Sequence, residues 1–301
     1  FLPGHEREGK HSPYYHRVCL KLVRRGLLVM AIDPIGQGER LGYVRSEEEA
    51  LRGLWGTAEH QRLGVQCYAL GESAAKYFVH DAMRAVDYLY ARPDVDPRRI
   101  GVTGNSGGGT QTAMMMVCDE RIAAAAPATF IMNRRQYMHA GGVQDAEQVW
   151  PGLTALGYDH EDLLLGFAPK PLLVLAAEYD FFPIEATRRT VERCRRFWDI
   201  GGNPGGPRFV TDASTHRFTD ALAEAAADFF AEMLGPAKAP AGACAPLDKE
   251  RLICTRSGQV LLDRPGALTF RDEHAARARR LAEERAAIPE NVRRERALAW
   301  L

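Results

Sequence analysis

The sequence predicts an α/β fold, in which a mostly parallel sheet carries helices on both faces and a short C-terminal appendage follows. Three observations support this. Short apolar runs typical of buried strands alternate with amphipathic segments. A glycine-rich turn joins one of these strands directly to a helix, and a Pro/Ala/Gly-rich stretch then separates residues 1–235 from 236–301. Alternating strands and helices are typical of parallel sheets covered on both faces.

Composition disfavours several classes of protein. The 39 basic and 39 acidic side chains cancel, which disfavours a nucleic-acid-binding protein. The longest apolar run, from Ile122 to Met132, is too short for a membrane span. The six cysteines include no C-x-x-C pair, so structural zinc is not expected. Whether Cys244 and Cys254 form a disulfide is left open.

The first predicted elements are a helix at 15–25, which Gly26 would end, and a buried strand at 27–32. Residues 33–71 are punctuated by glycine and are predicted to be an irregular connection that either has a functional role or forms a small cap. The amphipathic spacing of residues 73–91 predicts a second helix, which ends before Pro93.

Later in the chain, apolar runs predict strands at 99–104, within 122–131, at 171–177 and at 208–210. Helices are predicted at 107–117, 185–198 and 215–234, and an insertion at 133–166. The appendage is predicted to contain a linker up to 246, a hairpin at 251–262 and charged helices at 272–285 and 290–301.

The glycine-rich turn Gly104-Asn105-Ser106-Gly107-Gly108 has the pattern G-x-S-x-G between a predicted strand and a predicted helix. In that position the pattern is typical of a nucleophile elbow, which exposes the serine hydroxyl above the sheet edge. The backbone N–H of Gly107, near a helix N-terminus, would then stabilise negative charge on a substrate oxygen. A phosphate-binding loop would need a lysine after the turn, which is absent.

An acid and a base follow the elbow in the order of an α/β-hydrolase. Asp180 follows the 171–177 strand, with Glu178 as the second candidate acid and Asp212 as a weaker one. His216 precedes the last helix of the domain. Ser106 is therefore predicted to be the nucleophile, His216 its base, and Asp180 the group that orients His216.

Further site residues are predicted from loop positions. The segment 3–6 follows an early predicted strand, so a backbone N–H near His5 would supply a second oxyanion donor. Gln37 and Gln148, in the two insertions, are candidate substrate-binding residues. The remaining histidines form no H-x-x-x-H or H-x-H set, so neither a metal nor a cofactor is predicted.

The segments 33–40, 101–109 and 177–183 resemble bacterial α/β-hydrolases of the acetyl xylan esterase-like type. More distantly, they are similar to the cephalosporin C deacetylase and acetyl xylan esterase family. The resemblance covers about residues 1–262. It implies a serine carboxylesterase that acts on small acyl groups, such as acetyl, carried by carbohydrate.

Two other functions stay open at this point. One is a serine peptidase of the prolyl-oligopeptidase type, and the other is a non-catalytic hydrolase-fold protein that binds partners through its charged C-terminal helices. A dehalogenase or epoxide hydrolase is disfavoured because the elbow nucleophile is serine. A small-molecule or carbohydrate ester is the expected partner, with no nucleic acid or membrane; homo-oligomerisation is left open.

The chain starts at Phe1 without an initiator methionine, and its first residues read like the end of a strand. We therefore expect a piece of a longer protein that lacks its first strands. Localisation is left open.

Overall fold

A sheet of four parallel strands lies at the centre of this computed structural model, which describes residues 1–142, 144–235 and 244–300. The strands neighbour one another in chain order: β1 (Ile100–Asn105), β2 (Ile122–Ala128), β3 (Leu173–Ala177) and β4 (Arg208–Asp212). Leu2 forms a parallel bridge to Gly104 on the free edge of β1. The predicted parallel sheet is therefore confirmed.

Helices cover both faces of the sheet, as predicted. Helices α1 and α9 pack on one face, and α4, α5 and α8 cover the other. The described α-helices are α1 (Pro13–Arg24), α2 (Glu47–Arg52), α3 (Gly56–Ala69), α4 (Ala75–Tyr90), α5 (Gly107–Cys118), α6 (Arg134–His139), α7 (His160–Leu165), α8 (Ile184–Ile200), α9 (Asp220–Leu234), α10 (Val260–Asp263), α11 (Phe270–Ala286) and α12 (Glu290–Trp300). Short 3-10 turns lie at Gly9–His11, Ala146–Gln148 and Lys249–Arg251.

The small side chains of β2 allow the covering helices to approach the sheet closely. Its sequence is IAAAAPA, with five alanines among seven residues. Six of the seven residues are buried. A Cβ atom on Gly109 of α5 would lie only 2.4 Å from the carbonyl oxygen of Ala128. This close packing holds the start of α5 directly above the carboxyl end of β2.

Three predicted elements differ from the structure. Residues 27–32 form no strand and none of their side chains is buried, because no described strand pairs with this apolar run. Within 33–71 the structure has the helices α2 and α3. In α3 the buried Glu59 and His60 interrupt the apolar spacing that identifies a helix. The predicted hairpin at 251–262 is replaced by a 3-10 turn and α10. Most of the predicted linker, 236–243, lies outside the described residues.

The C-terminal segment is bound to the loop that precedes α2, through Glu39. The Glu39 carboxylate pairs with Lys10 and accepts hydrogen bonds from the backbone N–H groups of Cys254 (3.0 Å) and Thr255 (2.8 Å). Gln259 extends this contact by donating to the carbonyl oxygen of Gly38 (2.8 Å). Although burial opposes ionisation, these hydrogen bonds lower the pKa of Glu39 to about 2.

Replacing the Glu39 carboxylate should weaken the contact between the C-terminal segment and the loop that precedes α2. We expect Glu39→Gln to lower the free energy of unfolding by about 2 kcal/mol at pH 7, because hydrogen bonds to a charged group are lost. The lowered pKa means that this stabilisation is complete above about pH 4.5 and is lost as the pH falls towards 2. Denaturant unfolding at pH 7 and pH 3 measures it. Glu49→Gln, which removes an exposed pair with Arg45, is the control and should leave the stability nearly unchanged. An equal effect of both variants would contradict the docking role.

Two further observations concern the whole described chain. All six cysteines, including Cys244 and Cys254, have free thiols. Among the described residues, no helix is both long enough and apolar enough to cross a membrane.

Candidate active site

Ser106 lies in a sharp turn between β1 and α5, with φ 58° and ψ −120°. Such a conformation costs a non-glycine residue of the order of 1–3 kcal/mol, so its surroundings must hold it. The Ser106 N–H donates to the carbonyl oxygen of Ala128 (3.0 Å) and lies 3.1 Å from Thr129 Oγ1. The side chain of Asn105 reinforces the turn, since it donates to Thr129 (3.0 Å) and accepts from the hydroxyl of Tyr15 (2.9 Å).

Glycine is required at Gly108 because another chain segment passes directly beside it. A Cβ atom there would lie 1.8 Å from the carbonyl oxygen of Leu2. The chain around Leu2 therefore runs against the elbow and leads into Gly4 and His5, the segment predicted to supply an oxyanion donor.

His216 and Asp180 are joined by a hydrogen bond at the carboxyl end of the sheet. His216 Nδ1 lies 2.8 and 2.9 Å from the two carboxylate oxygens of Asp180, whose side chain is 2% exposed. The N–H of Phe182 also donates to Asp180 (3.0 Å), and the ring centroid of Phe181 lies 4.3 Å from that of the imidazole, with the two planes tilted by 35°. Because Nδ1–H points to Asp180, Nε2 is the ring atom that can accept a proton.

His216 Nε2 is buried and has no hydrogen-bond partner within the described residues. Ser106 and His216 line the same cavity. Ser106, Asp180 and His216 follow β1, β3 and β4, and so lie at the same carboxyl edge of the parallel sheet.

The two alternative acids have other contacts. Glu178 accepts from the hydroxyl of Thr211 (2.9 Å) and pairs with Arg188 (3.2 Å). Asp212 contributes its backbone carbonyl oxygen, which accepts from the N–H of Glu178 (2.9 Å). Of the three candidates, Asp180 is the one that contacts His216.

The predicted oxyanion donors flank the serine. The N–H of Gly107 is in the first turn of α5 and so has no acceptor within the helix. A Cβ atom on Gly4 would lie 3.0 Å from Ser106 Cβ, which places the Gly4–His5 loop beside the nucleophile. Gln37 is 1% exposed and donates to the carbonyl oxygen of Gly4 (2.7 Å). Its position suits holding this loop, rather than contacting a substrate.

Gln148 is also buried and satisfied by protein groups. Its side chain accepts from the N–H of Asp145 (3.1 Å) and donates to Thr110 Oγ1 (3.1 Å). It thereby caps the 3-10 turn at Ala146–Gln148 and ties it to α5. Neither predicted substrate-binding glutamine lines the cavity at Ser106.

The cavity at Ser106 has a volume of about 900 Å³, and most of the charged side chains that line it are basic. Arg17, Arg217 and Lys249 are exposed on its walls and form no ion pair among the described residues. Glu6 is the one carboxylate among the lining residues. The C-terminal segment contributes Lys249 together with Pro246 and Leu247, so the appendage forms part of this wall.

No sequence motif predicts a second group of polar residues, which we call the His-carboxylate cluster: His5, His60, Asp145 and Glu147. His60 comes from α3 and the two acids from the 133–166 insertion, so residues far apart in sequence meet behind the oxyanion loop. Burial raises the pKa of Glu147. Burial opposes ionisation of Asp145 too, but hydrogen bonds from His5 and His60 hold its pKa well below the usual range.

Comparisons with known proteins agree with this fold. A model of the prolyl oligopeptidase family matches residues 69–161. A putative hydrolase, YtaP, of Bacillus subtilis (strain 168) is 25% identical over 222 residues, which cover 71% of this chain and 67% of that protein.

Two solved structures are similar. The methylesterase BT1017 has a TM-score of 0.54 and 24% identity, over 80% of this chain and 51% of its own, so this chain spans about half its length. The Pyrococcus furiosus esterase Pf2001 has a TM-score of 0.50 and 14% identity, over 78% and 83% of the two chains. The chain has the α/β-hydrolase fold.

Proposed function

We propose that this chain of α/β-hydrolase fold is a serine carboxylic ester hydrolase that removes small acyl groups, such as acetyl, from carbohydrate. The observation that carries the proposal is the His216 imidazole, which is held by Asp180 through Nδ1 and has a buried, unpartnered Nε2 beside the cavity of Ser106. The hydrolase name of the Bacillus subtilis relative also supports hydrolysis.

The reaction would proceed through an acyl-enzyme. Ser106 Oγ attacks the ester carbonyl carbon while His216 Nε2 takes its proton, and Asp180 stabilises the resulting imidazolium. The N–H groups of Gly107 and His5 stabilise the oxyanion. His216 then gives the proton to the departing alcohol oxygen. A water molecule, deprotonated by His216, then attacks the acyl carbon. The bond between that carbon and Ser106 Oγ breaks, His216 returns the proton to Oγ, and the carboxylic acid leaves.

The cavity walls support a substrate that carries negative charge. Arg17, Arg217 and Lys249 form no ion pair within 4 Å among the described residues, so an anionic group would gain from them. An acetylated carbohydrate with a carboxylate, such as a uronic acid, combines this charge with a small acyl group. We therefore propose that acidic acetylated sugars are preferred over neutral ones.

Substitution of the basic residues tests this preference. We expect the double variant Arg17→Gln, Arg217→Gln to lower the ratio of kcat/KM for an acetylated uronate to kcat/KM for the matching neutral acetylated sugar about tenfold. Steady-state kinetics on both substrates measure it. Arg98→Gln, which changes an exposed arginine paired with Asp96, is the control and should keep the ratio. An unchanged ratio in the double variant would argue against charge recognition.

A serine peptidase is the second candidate, because the prolyl oligopeptidase family model matches residues 69–161. Recognition of a peptide amine needs acidic side chains, whereas the cavity offers Glu6 alone against three basic groups. Turnover of p-nitrophenyl acetate and its butyrate and octanoate homologues, compared with aminoacyl p-nitroanilides, separates the two functions. Preferential turnover of the anilides would favour the peptidase, and no turnover of any substrate would favour a non-catalytic role.

A further inference from the structure

We propose that the His-carboxylate cluster binds one divalent metal ion, and that Zn²⁺ is the ion that fits it best. Two imidazoles and two carboxylates are a donor set that zinc accepts in proteins. The role we assign to the ion is structural: it would anchor the His5 loop, and the ester hydrolysis proposed above does not require it as a reactant.

The distances from His5 Nε2 to the other three ligand atoms suit a tetrahedral site. His5 Nε2 lies 3.1 Å from His60 Nδ1, 3.3 Å from Asp145 Oδ2 and 3.7 Å from Glu147 Oε1. All four residues offer atoms within 4.8 Å of one another. Zinc bonds of 2.0–2.2 Å in tetrahedral geometry separate the ligand atoms by roughly 3.3–3.6 Å, which is close to these distances.

The hydrogen bonds of His60 leave its Nδ1 atom available as a ligand. His60 Nε2 lies 2.7 Å from the carbonyl oxygen of Ile35 and must donate to it, so the neutral ring has a lone pair on Nδ1. That lone pair faces Asp145 Oδ1 at 3.0 Å, which is also an acceptor. Without a metal, a proton on Nδ1 makes the hydrogen bond to Asp145 described above, and a bound metal ion would take the place of that proton. A donor bond from the second ring nitrogen to a backbone carbonyl is typical of metal-bound histidine.

Glu147 supplies a second, independent observation. Its side chain is 1% exposed, and its Oε1 atom has no hydrogen-bond partner in the parts of the chain that the structure describes. An unpaired buried carboxylate is costly, whereas a divalent cation would be neutralised by Asp145 and Glu147 together. Glu147 also reaches the elbow, since a Cβ atom on Gly107 would lie 2.3 Å from Oε1.

In a similar group, formed by His11, Asp33 and Glu39, a lysine side chain neutralises the acids. The Nζ atom of Lys10 lies 2.6 Å from Asp33 and pairs with Glu39, so an ammonium group already occupies the position between the acids. This second group therefore serves as an internal control for metal binding.

The experiment uses the whole chain, stripped with a chelator and titrated with Zn²⁺ by calorimetry, with thermal unfolding as a second readout. We expect one ion per chain, bound with a Kd below about 1 μM, and a higher midpoint of unfolding in the presence of Zn²⁺. Both readouts are independent of ester hydrolysis, so they remain informative if the proposed function fails.

Variants assign the ion to the cluster. Glu147→Gln preserves the shape of the side chain and should weaken binding at least 100-fold, and His60→Ala should abolish it. His11→Gln, in the control group, should keep one ion at the original affinity. If His60→Ala fails to fold, Glu147→Gln decides alone. Absence of stoichiometric binding to the unaltered chain, or equal affinity in Glu147→Gln, would overturn the proposal.

Discussion

Replacing the elbow serine should remove nearly all ester hydrolysis: we expect Ser106→Ala to lower kcat for p-nitrophenyl acetate by roughly 10⁴- to 10⁶-fold. The attacking oxygen is lost, while the oxyanion donors and the cavity remain. Alanine preserves the Cβ atom and the strained φ of 58° at this position, so the fold should not change. Initial rates, with circular dichroism and thermal unfolding as checks of the fold, measure the effect.

Ser214→Ala is the matched control, because Ser214 lies in the loop before His216 and its buried hydroxyl has no partner among the described residues. It should keep a rate close to that of the unaltered protein. Persistent hydrolysis in Ser106→Ala would contradict the nucleophile assignment and, with it, the acyl-enzyme mechanism.

The second large loss of activity is expected on replacing Asp180, the acid that contacts His216. Asp180→Asn should lower kcat about 10⁴-fold, because the amide no longer stabilises the imidazolium and can hold the imidazole in the wrong tautomer. Asp180 is almost fully buried and receives the N–H of Phe182 in addition to His216, so asparagine can keep the shape of the site. Rates measured across the pH range, with the fold checked by thermal unfolding, test this expectation.

The variant Glu178→Gln tests which of the two acids that follow β3, Glu178 or Asp180, supports the reaction. Glu178 contacts Thr211 and Arg188 rather than His216, so this variant should retain most of the activity. A large loss in Glu178→Gln combined with little loss in Asp180→Asn would reverse the assignment.

Most elements of the sheet and its covering helices could be predicted from local patterns. Apolar runs marked β1, β2, β3 and β4, and helical spacing marked α1, α4, α8 and α9, because burial of one face or of a whole strand imposes a period on the sequence. The prediction failed for 27–32, since an apolar run does not reveal whether a strand lies beside it. It also missed α3, because the buried face of this helix mixes the polar Glu59 and His60 with apolar residues such as Leu63.

Some features of the candidate site could likewise be predicted from local sequence, and others could not. The sequence by itself determined the elbow at Ser106 and the order of acid and histidine, because both depend on the few residues directly after each strand. Tertiary structure decided which acid contacts His216, and it moved Gln37 and Gln148 from the expected cavity wall to buried supporting positions.

The His-carboxylate cluster and the docking of the C-terminal segment on Glu39 depend on tertiary structure alone. His5, His60 and the acids at 145 and 147 approach one another only when α3, the N-terminal loop and the 133–166 insertion pack together. Glu39 meets Thr255 across more than two hundred residues of chain. Local sequence records the period of a strand or helix, whereas the partner of a buried charge is set by which distant segment packs against it.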